Sequence, residues 1–312
     1  MKTVASILGL ALLAACGSAA MGGDGAAPSA TTQPEMRSEP VIRTQAVTSP
    51  PPAQPQPERT GPVEFTYAGE LTQGGWIKGT APFGTVNAFL GDVPLELDSE
   101  NGYFAAFDRD AGSEAVLRAE LANGTTKAAR LSIAPRKWNI ERVNVARRSG
   151  GASAAFMKRR QPELDAIWNA RLKVTGATGY RQDFIWPVKG RISGRFGSQR
   201  IYRGEPGSYH SGIDIAPGNG VPFVAPADGV VVLARNNFSL EGRLLIIDHG
   251  SGLNSAFLHA SKLAVSEGDM VTQGQYIGNI GSTGRATGPH LHWSIKWRNA
   301  RLDPLLFTGP MN

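Results

Sequence analysis

The 312-residue chain is 41% hydrophobic and 19% charged, within reach of an ordinary soluble fold of about two domains. Its 38 glycines and 21 prolines favour short strands and many turns over long helices. The formal net charge of +6 is spread along the chain without an aromatic–basic array. That argues against nucleic acid as a partner and suits an anionic polymer or a membrane.

Lys2 precedes an apolar run from Val4 to Ala15, too short to cross a bilayer as a permanent helix and of signal-peptide character. The run ends in Leu13-Ala14-Ala15-Cys16, which resembles a lipobox, the signature of bacterial lipoproteins. The resemblance implies removal of residues 1–15 as a lipoprotein signal peptide and acylation of Cys16. With Gly17 next, and not Asp, it implies sorting to the outer membrane, facing the periplasm. Cys16 is the only cysteine, so no intrachain disulfide can form. Residues 16–62 then form a lipid-anchored tether rich in Pro and Gly, stiffened by Ser49-Pro50-Pro51-Pro52-Ala53-Gln54-Pro55.

Between 63 and 135 the pattern turns to period two. Val63, Phe65 and Tyr67 alternate with Glu64 and Thr66, and Leu117, Ala119 and Leu121 with Arg118 and Glu120. Turn signals at Gly74-Gly75, Pro82-Phe83-Gly84, Glu100-Asn101-Gly102 and Asn123-Gly124 divide it into about seven strands, a small β-sandwich. It holds no histidine or cysteine, so spacing, binding or gating is its expected role. Residues 136–185 read as a linker with one strand near Ile140–Val145 and one amphipathic helix. The helix stripe is Leu164, Ile167, Trp168 and Leu172, with Pro162 in its first turn.

From 186 to 308 glycine-punctuated strands return, and the five histidines fall between 210 and 292. His290 and His292 are two apart in a run alternating with Leu291 and Trp293, so on a strand both rings enter one cleft. His210 and Asp214 are four apart, and if extended they share a face with Gly212, which leaves room for an ion between them. Imidazole and carboxylate are common zinc ligands, and a catalytic zinc usually keeps an open position. Asp248-His249-Gly250 reads as a hairpin turn, where surface or outlying hydrogen bonding suits His249 better than a metal. The basic residues Lys189, Arg191, Arg195, Arg200 and Arg203 lie just before His210 and would attract carboxylates if they border its cleft.

His210-x-x-x-Asp214 with His290-x-His292 resembles the zinc signature of the M23, or lysostaphin-type, peptidoglycan endopeptidases. The words Ala225-Pro226-Ala227-Asp228-Gly229-Val230 and Gly281-Ser282-Thr283-Gly284 agree with it. The patterning gives a mainly β chain whose small sandwich-like domain precedes a compact antiparallel β-sheet domain at 186–308, and the resemblance implies that the latter is a metallopeptidase domain. It implies one Zn2+ per chain on His210, Asp214 and His292, with His259 and His290 catalytic. One departure is Phe257, where the family often has a tyrosine two residues before the histidine at 259.

The function so implied is hydrolysis of peptidoglycan peptide cross-links, first of all D-alanyl-diaminopimelate bonds. The partners are wall stem peptides and the membrane through Cys16. No feature singles out a partner among cell-division or wall-remodelling proteins. The location is the bacterial cell envelope. The alternative is a non-catalytic wall-binding activator of other hydrolases, which metal content and wall hydrolysis together would distinguish. A biotinyl- or lipoyl-like carrier, suggested by Ala227-Asp228-Gly229-Val230, fails because Lys262 lacks the flanks such a carrier needs.

Overall fold

Alternating apolar residues draw the chain into paired strands from its first described residues. The computed structural model describes residues 61–146 and 153–311. The signal peptide, Cys16 and the tether lie outside them. The region before the first helix contributes β1 (Thr66–Gly69), β2 (Trp76–Thr80), β3 (Thr85–Leu90), β4 (Val93–Pro94), β5 (Gly102–Ala106), β6 (Glu114–Leu121) and β7 (Thr126–Ser132). They form two sheets, ordered β1-β2-β5 and β4-β3-β6-β7. Ile77, Phe104, Leu117 and Leu131 turn inward and are all but fully buried. Asn101 takes the left-handed turn position (φ 60°), which its short side chain tolerates.

β8 (Ile140–Val143) leads to helix α1 (Ala154–Arg171), whose N-cap Ser153 hydroxyl accepts from the Phe156 N–H. The helix begins well before the expected stripe, so Pro162 stands in its interior and not in its first turn. The packed face also differs from the expected one. Trp168 and Leu172 are 53% and 61% exposed, while Ala170, Ala166 and Ile167 meet Val232, Leu244 and Ile246. The small alanines let the helix approach the sheet closely. Arg160 then clamps both carboxylate oxygens of Glu241 at 2.6 Å, and Glu163 accepts from Ser239.

The remaining strands are β9 (Arg191–Gly194), β10 (Gln199–Tyr202), β11 (Glu205–Pro206), β12 (Ile213–Ala216), β13 (Pro222–Val224), β14 (Gly229–Phe238), β15 (Gly242–Asp248), β16 (Leu253–Leu258), β17 (Lys262–Leu263), β18 (Met270–Val271), β19 (Tyr276–Asn279), β20 (Leu291–Trp297) and β21 (Ala300–Leu302). The largest sheet runs β18-β14-β15-β16-β20-β12-β9, with β21 beside β20. Along β12 and β20, Ile213, Ile215, Leu291, Trp293 and Ile295 are fully buried on one face. The alternate positions, Asp214 and His292, face the other way.

The chain is mainly β, as expected, and its two β regions share one hydrophobic core. Trp76 lies 5.2 Å from Phe307 between ring centroids and donates its indole N–H to the Leu306 carbonyl. Arg136 bonds the buried Asp303 carboxylate at 2.7 Å.

Candidate metal centre

The register of three antiparallel strands assembles the site. Asp214 on β12 stands directly opposite His292 on β20, which in turn stands opposite Leu258 at the end of β16. His259 therefore begins where β16 ends, and it turns there with φ 66°, a strained conformation for a residue other than glycine. His290 reaches the same corner through its bridge to Gly281. His210 precedes β12, held by its N–H to the Ser198 carbonyl and its carbonyl to the Gly197 N–H.

His210 Nε2, Asp214 Oδ1 and His292 Nδ1 converge as a cluster suited to one metal ion. The two nitrogens are 3.1 Å apart, and Asp214 Oδ1 is 3.1 Å from His210 and 2.8 Å from His292. Tetrahedral ligands at ~2.1 Å from zinc would be separated by about 3.4 Å, so the triad needs only to open slightly. His210 Nδ1 lies 3.1 Å from the Arg195 carbonyl. A carbonyl only accepts, so that nitrogen carries the proton and Nε2 offers its lone pair to the centre.

Two glycines leave the space these ligands occupy. A Cβ on Gly194 would come within 2.3 Å of Asp214 Oδ2, and one on Gly212 within 2.4 Å of the Trp293 carbonyl and 2.8 Å of His292 Nε2. Gly212 thus makes room for a ligand's ring, where its spacing had suggested room for the ion. The donor types, their protonation and this cradle all fit zinc.

His259 and His290 stand beside the triad, their ring centroids 4.8 Å apart, with His259 6.3 Å from His292. His259 Nδ1–H donates to the Thr283 carbonyl and His290 Nδ1–H to the Gly288 carbonyl, each at 2.8 Å. Both rings are thereby fixed with Nε2 left for the cluster, and His290 Nε2 is 3.7 Å from Asp214 Oδ1.

Protonation follows the surroundings. Burial opposes ionisation of Asp214, but its close pairing with the His210 and His292 rings outweighs it and holds the carboxyl far below the usual range. Burial likewise disfavours the charged form of His210, yet the Asp214 carboxylate raises it above its ordinary value. Burial lowers His292 despite Asp214, and burial with the nearby His290 and His292 lowers His259.

His249 stands in the β15–β16 hairpin connection, as its sequence suggested, but that turn is not at the surface. The residue is fully buried, with Nδ1 2.7 Å from the Asp228 carbonyl and Nε2 2.9 Å from Ser255 Oγ, and burial pushes it down to about 4. It takes no part in the metal cluster. Of the basic run before His210, Arg200 lines the cleft of about 880 Å³ beside His210, together with Tyr202 and Arg285. Arg195 contributes a carbonyl. Phe257 stands opposite Trp293 on the core side of the sheet and stacks on Phe223, so the absent tyrosine hydroxyl leaves no gap in the site. Sequence reading missed Gly194 and the carbonyls of Arg195, Thr283 and Gly288, because a backbone acceptor has no residue signature.

Residues 208–304 match peptidase family M23. The chain is 39% identical over 132 residues to the peptidoglycan DD-endopeptidase ShyA of Vibrio cholerae, across 40% of this chain and 30% of ShyA. It is 37% identical over 122 residues to the murein hydrolase activator NlpD of Salmonella dublin, across 39% of this chain and 30% of NlpD. The chain thus spans less than a third of the length of either relative. A crystal structure of a candidate M23 peptidase from Pseudomonas aeruginosa is similar over 78% of this chain and 96% of its own, with a TM-score of 0.59 and 26% identity. The C-terminal region is thus similar to M23 peptidases in sequence, and it holds a His-Asp-His cluster that could take a metal ion.

Proposed function

We propose that the protein is a zinc metalloendopeptidase that hydrolyses peptide cross-links in bacterial peptidoglycan, D-alanyl-diaminopimelate bonds first. The observation that carries this is the joint arrangement of three ligand atoms and two imidazoles, each of the latter oriented by a backbone carbonyl. The name of ShyA, a peptidoglycan DD-endopeptidase, supports the choice of bond.

His210 Nε2, Asp214 Oδ1 and His292 Nδ1 would hold the ion. Bound there, zinc supplies Lewis-acid polarisation of the scissile carbonyl and lowers the pKa of a water molecule toward neutrality. His259, kept neutral by burial, accepts the water's proton at Nε2 and later returns it to the leaving amine. His290, as an imidazolium, donates its Nε2–H to the developing oxyanion. The Thr283 and Gly288 carbonyls hold both rings in position for these steps. Cys16, acylated, would fix the enzyme to the cell envelope, at the outer membrane facing the periplasm.

Similarity to NlpD favours a second reading, an activator of other wall hydrolases. The two separate when purified peptidoglycan is digested with the zinc-loaded protein and new peptide termini are identified. New D-alanyl and diaminopimelate termini support the enzyme, and zinc binding without them supports the activator.

A further inference from the structure

The sheet face that carries His292 continues away from the metal centre into a second, basic site. On β20 the side chains of His292, Ser294 and Lys296 share one face. Lys296 stands opposite Asn254 of β16 on one side and Arg301 of β21 on the other. Four strand positions separate it from His292, about 13 Å at ~3.3 Å per residue. Arg171, in the last turn of α1, reaches the same row and donates to Asn254 Oδ1 at 2.6 Å. Arg171, Lys296 and Arg298 line a cavity of about 520 Å³ with an apolar wall at Trp168, Leu172 and Val174.

None of the acids around this cavity pairs with Lys296 or Arg171, although Glu96 offsets Arg298. Glu96 accepts from Arg298 at 3.2 Å, Asp98 from the Tyr180 hydroxyl at 2.6 Å, and Asp248 from the Thr175 hydroxyl at 2.6 Å. Among the described residues the Lys296 ammonium has no hydrogen-bond or ion-pair partner. Arg171 has only the neutral Asn254 amide. Asp108 is the carboxylate that favours the charge on Lys296, and it already accepts from the Arg301 N–H at 2.8 Å. Burial and the guanidinium groups of Arg171 and Arg301 push Lys296 down to about 8. Two further polar atoms, Ser251 Oγ and Arg298 Nε, are buried without a partner, and Ser251, at 8% exposure, lines the cavity. Gathered like charges beside idle donors are what a bound anion would neutralise. The cavity's volume suits a peptide residue or two.

We propose that this cavity binds a carboxylate of an anionic peptide, its aliphatic part against Trp168 and Leu172. Resting on the endopeptidase reading, the peptide is a wall stem peptide adjoining the one that is cut. Lys296 and Arg171 are then specificity residues outside the metal centre.

The test is calorimetric titration of the zinc-loaded full chain with a disaccharide-tetrapeptide monomer from purified wall, and with the same monomer after its carboxylates are amidated. Wild type and Lys296→Arg are expected to bind the free acid, Lys296→Gln at least tenfold more weakly, and all three to bind the amide poorly. With a cross-linked dimer as substrate, Lys296→Gln raises KM while kcat stays within about twofold. Should Lys296→Gln not fold by circular dichroism, Arg171→Gln takes its place in the same comparison. Equal binding of acid and amide by wild type, or equal binding of the acid by wild type and Lys296→Gln, overturns the proposal. So does inorganic phosphate binding as tightly as the monomer, because the site would then not read a peptide. Absence of dimer hydrolysis with the binding pattern intact would count against the endopeptidase alone.

Discussion

Asp214 and His292 face each other across two antiparallel strands, and their ligand atoms lie 2.8 Å apart. The carboxylate and the imidazole are therefore placed by sheet register and do not depend on a loop. Substitutions in this region should separate into those that lose the ion and those that lose only the chemistry.

His210→Ala, Asp214→Ala and His292→Ala are expected to lose both zinc and wall hydrolysis. His259→Ala and His290→Ala should retain most of the zinc and lose turnover by ~10²–10⁴-fold, the usual effect of removing a positioned acid–base group. Zinc per chain, peptide-termini release and circular dichroism on all five variants give the comparison. Full turnover in His290→Ala would overturn its assigned role.

Gly194→Ala and Gly212→Ala test the cradle. The methyl at 194 would press on Asp214, and that at 212 on the Trp293 carbonyl and His292, without removing a ligand. Zinc affinity is expected to fall about 10–100-fold, as when groups that orient a ligand are disturbed. Competition with a chelator measures it, and an unchanged affinity in both variants would sink the argument.

His249 gives a pH dependence of stability. Buried and neutral, it is pushed from 6.5 down to about 4, so below pH 6.5 the unfolded chain takes up a proton that the folded one refuses. Stability is complete above about 6.5 and falls as the pH drops toward 4, by roughly 3 kcal/mol for a displacement of that size. Denaturant unfolding of zinc-free protein between pH 7 and pH 4 should show a shallower loss in His249→Gln than in wild type. Parallel losses would assign the effect to other groups.

Cys16→Ser should abolish acylation and release the protein from membranes while the region from 61 onward stays folded. Fractionation with mass analysis of the mature N-terminus decides it. An unmodified Cys16 in the mature wild-type protein would remove the anchor.

Much of the centre was legible because strand periodicity is simple. His290-x-His292 shares a face by alternation, and Ile213, Asp214 and Ile215 show the same period, with the carboxylate out and the isoleucines in. The spacing of His210 to Asp214 was informative although His210 lies before the strand, held by residues 197 and 198. The helix was less legible. The large residues Trp168 and Leu172 dominate its pattern, whereas its packing depends on Ala166 and Ala170, whose small size carries little periodic signal. The turn at His249 was legible but its burial was not, because Asp-His-Gly reads locally as an exposed turn. Its burial comes from Phe184, Asp228 and Ser255, brought to it by the tertiary fold.

Glu241 joins two parts of the molecule that look independent. Its side chain is gripped by Arg160 of α1, and its own carbonyl accepts the N–H of His259 at 2.9 Å. One residue thus stands between the outer helix and the strained backbone that aims the proposed base. A displacement of the helix along its axis would reach His259 through the Arg160–Glu241 ion pair and then the Glu241 carbonyl.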